Sequence, residues 1–214
     1  MPLSQHNIDV ENYDHIIWDW NGTLLNDIDL CIDVIGKLLA SHGLPIPSVD
    51  EYKEIFGFPV RDYYIALGFD FLKTPYDMLA DQYITEYNTR AHQAPLHSGA
   101  VEALEKIGQS GQKQSILSVA REGHVIEMME AFDLTAHFTQ ICGTRDNLAA
   151  SKHVRGLELM SEIGIPPDRT LMIGDTTHDH EVGIAMGVDV LLVAHGHQSL
   201  GRLRAAHSHV VEAL

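Results

Sequence analysis

Cysteine is scarce in this 214-residue chain: there are two, Cys31 and Cys142, far apart and without metal-ligand spacing. That excludes a disulfide framework and a thiolate metal site, fits a reducing compartment, and leaves both thiols as buried packing residues. Positive charge is scarce as well, with 14 Lys and Arg against 30 Asp and Glu, a formal charge of −16 and no basic run. Neither nucleic acid nor a membrane surface is therefore an expected partner. No apolar stretch reaches membrane length, and the segment from Met1 to Tyr13 is polar with no apolar h-region, so a cytoplasmic location is expected. Internal repeats and low-complexity segments are missing too. What the chain does have is apolar material, 45% of its residues. That is ample for one large domain, or for a domain carrying a small insert.

The apolar run Ile16-Ile17-Trp18 ends on Asp19 and turns at once through Asn21, Gly22 and Thr23. A buried strand ending on a carboxylate places it at the carboxyl edge of a parallel sheet, where open α/β folds bind ligands. Helical spacing follows at Ile28, Ile32, Ile35 and Leu39, stopped by His42-Gly43 and two prolines. From Val49 to about His92 the pattern stays helical, with breaks at Gly57-Phe58-Pro59, Leu67-Gly68 and Thr74-Pro75. Leu79, Tyr83 and Tyr87 form one stripe, read as core. Beyond a helix carrying Val101, Leu104 and Ile107, strands are predicted at 115–119, 137–142, 170–173, 188–193 and 209–211. Helices are predicted between them at 123–131, 151–163, 179–186 and 199–206. Strands alternating with helices imply an α/β fold, a doubly wound parallel sheet interrupted early by an all-helical insert. The boundaries expected are 1–25 and 96–214 for the core and 26–95 for the helical cap with its linkers.

A second apolar strand ends in Gly174-Asp175, and Asp179 follows four residues later at a helix start. If these acids meet Asp19 they form a hard, all-oxygen site that suits Mg²⁺. His178 and His180 flank Asp179, either as ligands of a softer metal or as solvated helix residues. Between the acidic clusters, Ser118 ends a strand, and Lys152 sits just inside a helix after Arg145-Asp146-Asn147. A hydroxyl and an ammonium at one sheet edge can hold a transferring phosphoryl group.

The ordered set of Asp19-x-Asn21-Gly22-Thr23, then Ser118, Lys152 and Gly174-Asp175-x-x-x-Asp179, resembles the four motifs of the haloacid dehalogenase superfamily. Most of its members are phosphatases working through an aspartyl-phosphate, and the early insert with its Gly-Phe-Pro break looks like the helical-capped, phosphoglycolate-phosphatase-like branch. The resemblance implies a Rossmann-like core and a small phosphorylated metabolite as substrate. It makes Asp19 the nucleophile, and it implies Asp19, the Asn21 backbone carbonyl, Asp175 and Asp179 as Mg²⁺ ligands. Ser118 and Lys152 would bind the phosphoryl group, with Thr23 beside them. Arg61, after the Gly-Phe-Pro break, either meets a second anionic group of the substrate or is solvated, and Arg121 has the same two readings. The oligomeric state is expected to be monomer or homodimer.

Asn21 departs from the pattern. The family's phosphatases carry an acid there, which protonates the leaving oxygen and later activates water, and an amide can do neither. The site then either acts on a leaving group that needs little protonation, takes its proton from His178 or a cap residue, or holds phosphate in a regulatory role with attenuated turnover. Phosphonate cleavage is a further alternative, which would need a Schiff-base lysine such as Lys53.

Overall fold

The computed structural model describes residues 8–145 and 151–214. Asp146 and Asn147, part of the polar stretch before Lys152, lie outside them. The strands are β1 (His15–Trp18), β2 (Lys113–Arg121), β3 (Gln140–Thr144), β4 (Thr170–Gly174), β5 (Asp189–Val193) and β6 (Val210–Val211). They form one sheet in the order β3-β2-β1-β4-β5-β6, with every neighbouring pair parallel. The first strand is thus central, and its carboxyl end lies between those of β2 and β4.

Four helices precede the second strand: α1 (Ile28–Ser41), α2 (Val49–Ile55), α3 (Val60–Ala66) and α4 (Tyr76–Arg90). The predicted breaks fall between them. Ser48 and Glu51 form a capping box that starts α2, and Pro59 and Pro75 take the N-cap positions of α3 and α4. The remaining helices are α5 (Ala100–Gln109), α6 (Glu122–Ala131), α7 (Ser151–Ile163), α8 (Thr177–Met186) and α9 (Leu200–Ala206). None among the described residues is long and apolar enough to cross a membrane.

Alternation along the strands divides the core in two. Ile16, Trp18, Ile116 and Ile173 face one side with Leu104 of α5 and Met129 of α6. Ile17, Leu117, Met172 and Leu192 face the other with Leu159 of α7, Val182 of α8 and Leu203 of α9. The sheet is doubly wound, as predicted, because each strand is apolar on both faces and requires helices on both. Of the boundaries that differ from the sequence reading, two have a visible local cause. The second strand runs on to Arg121 through an irregularity in its pairing with β3. The third begins at Gln140 because Thr135–His137 curls into a 3-10 turn. Both cysteines are buried and free.

One buried base in the sheet makes stability pH-dependent. His15 is 1% exposed, its Nε2 sits 2.9 Å from Ser115 Oγ, and burial, then the charge of Lys113, pulls its pKa down to about 4. The folded state therefore favours neutral His15. Stability is full above pH 6.5 and falls as pH drops towards 4, by about 3 kcal/mol from this group. Urea midpoints at pH 7, 5 and 4 are expected to decline less steeply for His15→Gln than for the wild type.

Candidate active site

The paired ends of β1 and β4 build the site. Asp19 follows Trp18, which pairs with Ile173, and the Asp19 amide donates to the Ile173 carbonyl at 2.9 Å. Asp175 follows Gly174 on the adjacent strand, so two carboxylates leave neighbouring strands at one level. The chain then reverses tightly, with the amides of Leu24 and Leu25 both donating to the Trp20 carbonyl. Gly22 makes the turn at φ +78°, and a Cβ there would sit 2.3 Å from Asp175 Oδ2. Gly174 clears space in the same way, since a Cβ would lie 2.4 Å from the Asp179 side chain.

Asp179 reaches the site through the start of α8. Thr176 is the N-cap, and Asp179 Oδ2 accepts from the Thr176 amide at 3.0 Å and its hydroxyl at 2.7 Å. The capping box fixes one carboxylate oxygen and leaves Oδ1 for Lys152, whose Nζ donates to it at 2.6 Å and to Asp19 Oδ1 at 2.5 Å. All four groups are at most 5% exposed. Ligand oxygens of Asp19, Asp175 and Asp179 lie within 4.8 Å of one another.

Electrostatics shows what this cluster still needs. Burial, with repulsion from the other acids, raises the Asp19 and Asp175 carboxyls despite Lys152 and His197, whereas Lys152 outweighs burial and lowers Asp179. Uncompensated negative charge of this kind, on an all-oxygen donor set, fits a hard divalent cation.

The sequence reading missed a second buried network. Asp27 is the N-cap of α1, yet its side chain makes no capping bond. Instead it accepts from the Gly22 amide (3.0 Å), Asn21 Nδ2 (2.9 Å) and the Tyr87 hydroxyl (2.6 Å), and its Oδ1 lies 3.2 Å from His197 Nε2. Asn21 Nδ2 also donates to Tyr87 Oη at 2.6 Å. The other imidazole nitrogen of His197 lies 2.9 Å from Tyr52 Oη, and the His197 amide donates to Asp175 Oδ2 at 2.6 Å. Burial opposes both charges of the Asp27–His197 pair, but their attraction wins, holding Asp27 down at about 2 and lifting His197 to about 9. Tyr87 was read as core, and its ring is; its hydroxyl belongs to this network.

The other sequence-predicted residues have different settings. Thr23 is fully buried, with Oγ1 3.0 Å from Asp175 Oδ1 and 3.4 Å from Asp19 Oδ2. Its hydroxyl braces the two carboxylates. Ser118 is fully buried and its Oγ accepts from the Ala120 amide at 3.1 Å, which leaves its own proton to donate. Arg61 lies over the rings of Phe71 and Tyr76, 4.8 and 5.6 Å from their centroids. Lys53 donates to the His195 carbonyl at 3.3 Å. His178 is buried with its ring tilted against Phe58, burial and Lys152 lowering its pKa, while His180 is tilted against His207. His153 of α7 joins His178 and Glu181 in a nitrogen-bearing group that sequence spacing did not show.

Asp19, Asn21 and Lys152 line a cavity of about 760 Å³, with Arg61, Arg121 and residues of α3 and α4 on its walls. A model of the haloacid dehalogenase-like hydrolase family matches residues 16–193. The chain belongs to that family. It is 24% identical over 184 residues to the tyrosine-protein kinase PtkA of Mycobacterium tuberculosis, a match covering 85% of this chain and 62% of PtkA. The chain thus spans about three fifths of that relative's length. It is also 24% identical over 192 residues to a phosphoglycolate phosphatase of Mesorhizobium japonicum, covering 85% and 83% of the two chains. Among solved structures, a haloacid dehalogenase-like hydrolase from Streptococcus pneumoniae superposes with a TM-score of 0.79 at 18% identity, covering 93% of each chain. The structure of PtkA superposes at 0.76 and 21% identity, covering 95% of this chain and 90% of that one. These superpositions establish the haloacid dehalogenase fold, with the Asp19 cluster at its strand ends.

Proposed function

We propose that this haloacid dehalogenase-like chain is a Mg²⁺-dependent phosphatase that forms and hydrolyses an acyl phosphate on Asp19. The observation that carries the reading is Lys152 bridging Asp19 and Asp179 beside Asp175, fully buried at one end of a cavity large enough for an organic phosphate. Family membership supports it, as do relatives whose names, phosphatase and kinase, both denote phosphoryl transfer.

In this reading Asp19, Asp175, Asp179 and the Asn21 carbonyl hold Mg²⁺, which when bound offsets charge between the anionic nucleophile and the anionic substrate. Lys152 neutralises Asp19 and, with the Ser118 hydroxyl, binds the phosphoryl oxygens. The Asp19 oxygen that Lys152 does not hold attacks phosphorus, the bond to the leaving oxygen breaks, and its electron pair departs with that oxygen. Water then attacks the phosphoryl-aspartate, the Asp19 carboxylate leaves, and the water's proton passes to phosphate. The carboxylate is a good leaving group, and a loose transition state needs little activation of the attacking water, so an amide at position 21 is tolerable in this half. Lys53, bonded to the His195 carbonyl and off the cavity wall, gives no support to phosphonate cleavage.

Phosphate release from a panel of acetyl phosphate, sugar phosphates, nucleotides and phosphoglycolate, with Mg²⁺ or chelator, tests the reading. Release that needs Mg²⁺ and vanishes in Asp19→Asn is expected; release that persists in that variant contradicts it.

Asn21 gives a sharper prediction. Its Nδ2 supplies both hydrogens to Tyr87 and Asp27, so Asn21→Asp removes two donors and sets a carboxylate against Asp27. Losing a donor to a buried charge and adding a like charge is expected to cost about 2–3 kcal/mol with no gain in turnover. The double variant Asn21→Asp/Asp27→Asn, which exchanges amide and acid, is expected to recover much of that stability in a urea melt.

A further inference from the structure

The walls of the cavity and the chemistry of Asn21 point to the same substrate class, an inference that rests on the phosphatase reading above. We propose that the substrate is the phosphate monoester of an aromatic hydroxyl, with a phenol-type leaving group, and not the ester of a small aliphatic alcohol.

Size is the first observation. The cavity of about 760 Å³ lies in the range that drug-sized ligands fill, far more than a two-carbon hydroxy acid occupies. Its lining is the second. Phe56, Phe58, Tyr64, Tyr76, Tyr83 and Tyr87 all contribute to the wall. The Phe58 ring is tilted against His178 at 4.6 Å, Tyr83 and Tyr87 are nearly parallel, and the Arg61 guanidinium lies over Phe71 and Tyr76. Such walls offer ring faces and edges to a flat guest. The cations on the wall are Lys152, Arg61, Arg121 and His197, the last paired with Asp27, and Asp77 and Glu181 share the lining with them.

The third observation is independent of shape. Both Asn21 amide hydrogens are spent on Asp27 and Tyr87, and both His197 nitrogens are committed, one to Asp27 and one to Tyr52. Neither residue is placed to hand a proton to a departing oxygen. Without a proton from these two, the electron pair leaves on that oxygen when the P–O bond breaks, and the oxygen takes a proton from water afterwards; equal turnover of an aliphatic ester is what a wall histidine such as His178 acting as the acid would produce. A phenolate, whose conjugate acid has a pKa of about 10, bears this far better than an aliphatic alkoxide. An aryl ester does without the factor of about 10² to 10⁴ that a general acid supplies. Ring-lined walls and the committed hydrogens of Asn21 and His197 thus select the same guest.

The test uses the full chain with Mg²⁺ and compares phenyl phosphate with phosphoglycolate as substrates, and phenylphosphonate with methylphosphonate as non-hydrolysable inhibitors. Phenyl phosphate is expected to exceed phosphoglycolate in kcat/KM by about 100-fold or more. Phenylphosphonate is expected to inhibit about tenfold more tightly than methylphosphonate, a gap that Tyr76→Ala narrows. Phosphoglycolate turned over as well as phenyl phosphate, or two phosphonates that bind alike, overturns the aromatic assignment while the phosphatase reading stands. If acetyl phosphate, phenyl phosphate and phosphoglycolate all release no phosphate above the Asp19→Asn blank, the phosphatase reading itself fails and the assignment falls with it.

Discussion

Asp19→Asn is expected to lower phosphate release by a factor on the order of 10⁴ to 10⁶, the scale on which enzymes lose rate when a covalent nucleophile is removed. The substitution keeps the side chain's shape, so a folding defect does not account for the loss. It should even stabilise the Mg²⁺-free protein. Burial, then repulsion from Asp179 and Asp175, pushes the Asp19 carboxyl upward despite Lys152, and a neutral amide, which can still accept from Lys152 through Oδ1, relieves both. Activity and stability are therefore expected to move in opposite directions, the pattern of a site held under electrostatic strain for function. A stopped assay for phosphate and a thermal melt in chelator, on one protein preparation, check both. Near-normal release from the variant would remove Asp19 from the chemistry.

Lys152→Met carries the largest expected cost in stability. Lys152 is 1% exposed and its ammonium is held by two buried carboxylates, which outweigh burial and raise its pKa. Removing one partner of a buried ion pair typically costs about 3–5 kcal/mol, because the remaining charges lose their counter-ion. Methionine fills nearly the same volume, so packing contributes little to the difference. Mg²⁺ is expected to restore part of the loss, since a ligand that binds only the folded state at about 100 times its Kd adds about 2.7 kcal/mol. Urea unfolding with and without Mg²⁺ measures each part. A Lys152→Met protein as stable as wild type in chelator would mean that the ammonium does not balance these acids.

Much of this site was legible in the sequence because its acids sit where strands end. Ile16-Ile17-Trp18 before Asp19 and Leu171-Met172-Ile173-Gly174 before Asp175 are apolar on both faces, and only a doubly covered parallel strand buries such runs. Asp179 was legible from its spacing, which the Thr176 capping box explains. The contact of the Thr23 hydroxyl with both carboxylates was not legible, because it depends on the turn at Gly22, and no local pattern reports that reversal. The Asp27, Tyr52, Tyr87 and His197 network was not legible. Its members come from the N-cap of α1, from α2, from α4 and from the loop after β5, and each has an ordinary local explanation as cap, core aromatic or loop histidine. Asp27 gave one faint signal, an acid at an N-cap position only six residues after Asn21. Tertiary packing alone joins the two, and it turns Asn21 from a missing acid into a donor with two committed hydrogens.

Phosphoryl transfer to Asp19 is tested most directly by rapid acid quench during turnover of phenyl phosphate or acetyl phosphate with Mg²⁺, followed by mass spectrometry of the peptide that contains Asp19. The account predicts one phosphoryl group on Asp19 within the first turnover, absent in chelator and absent from Asp19→Asn. Phosphate released with no phosphoryl group on that peptide at any quench time, or a phosphoryl group found on another residue, would contradict it.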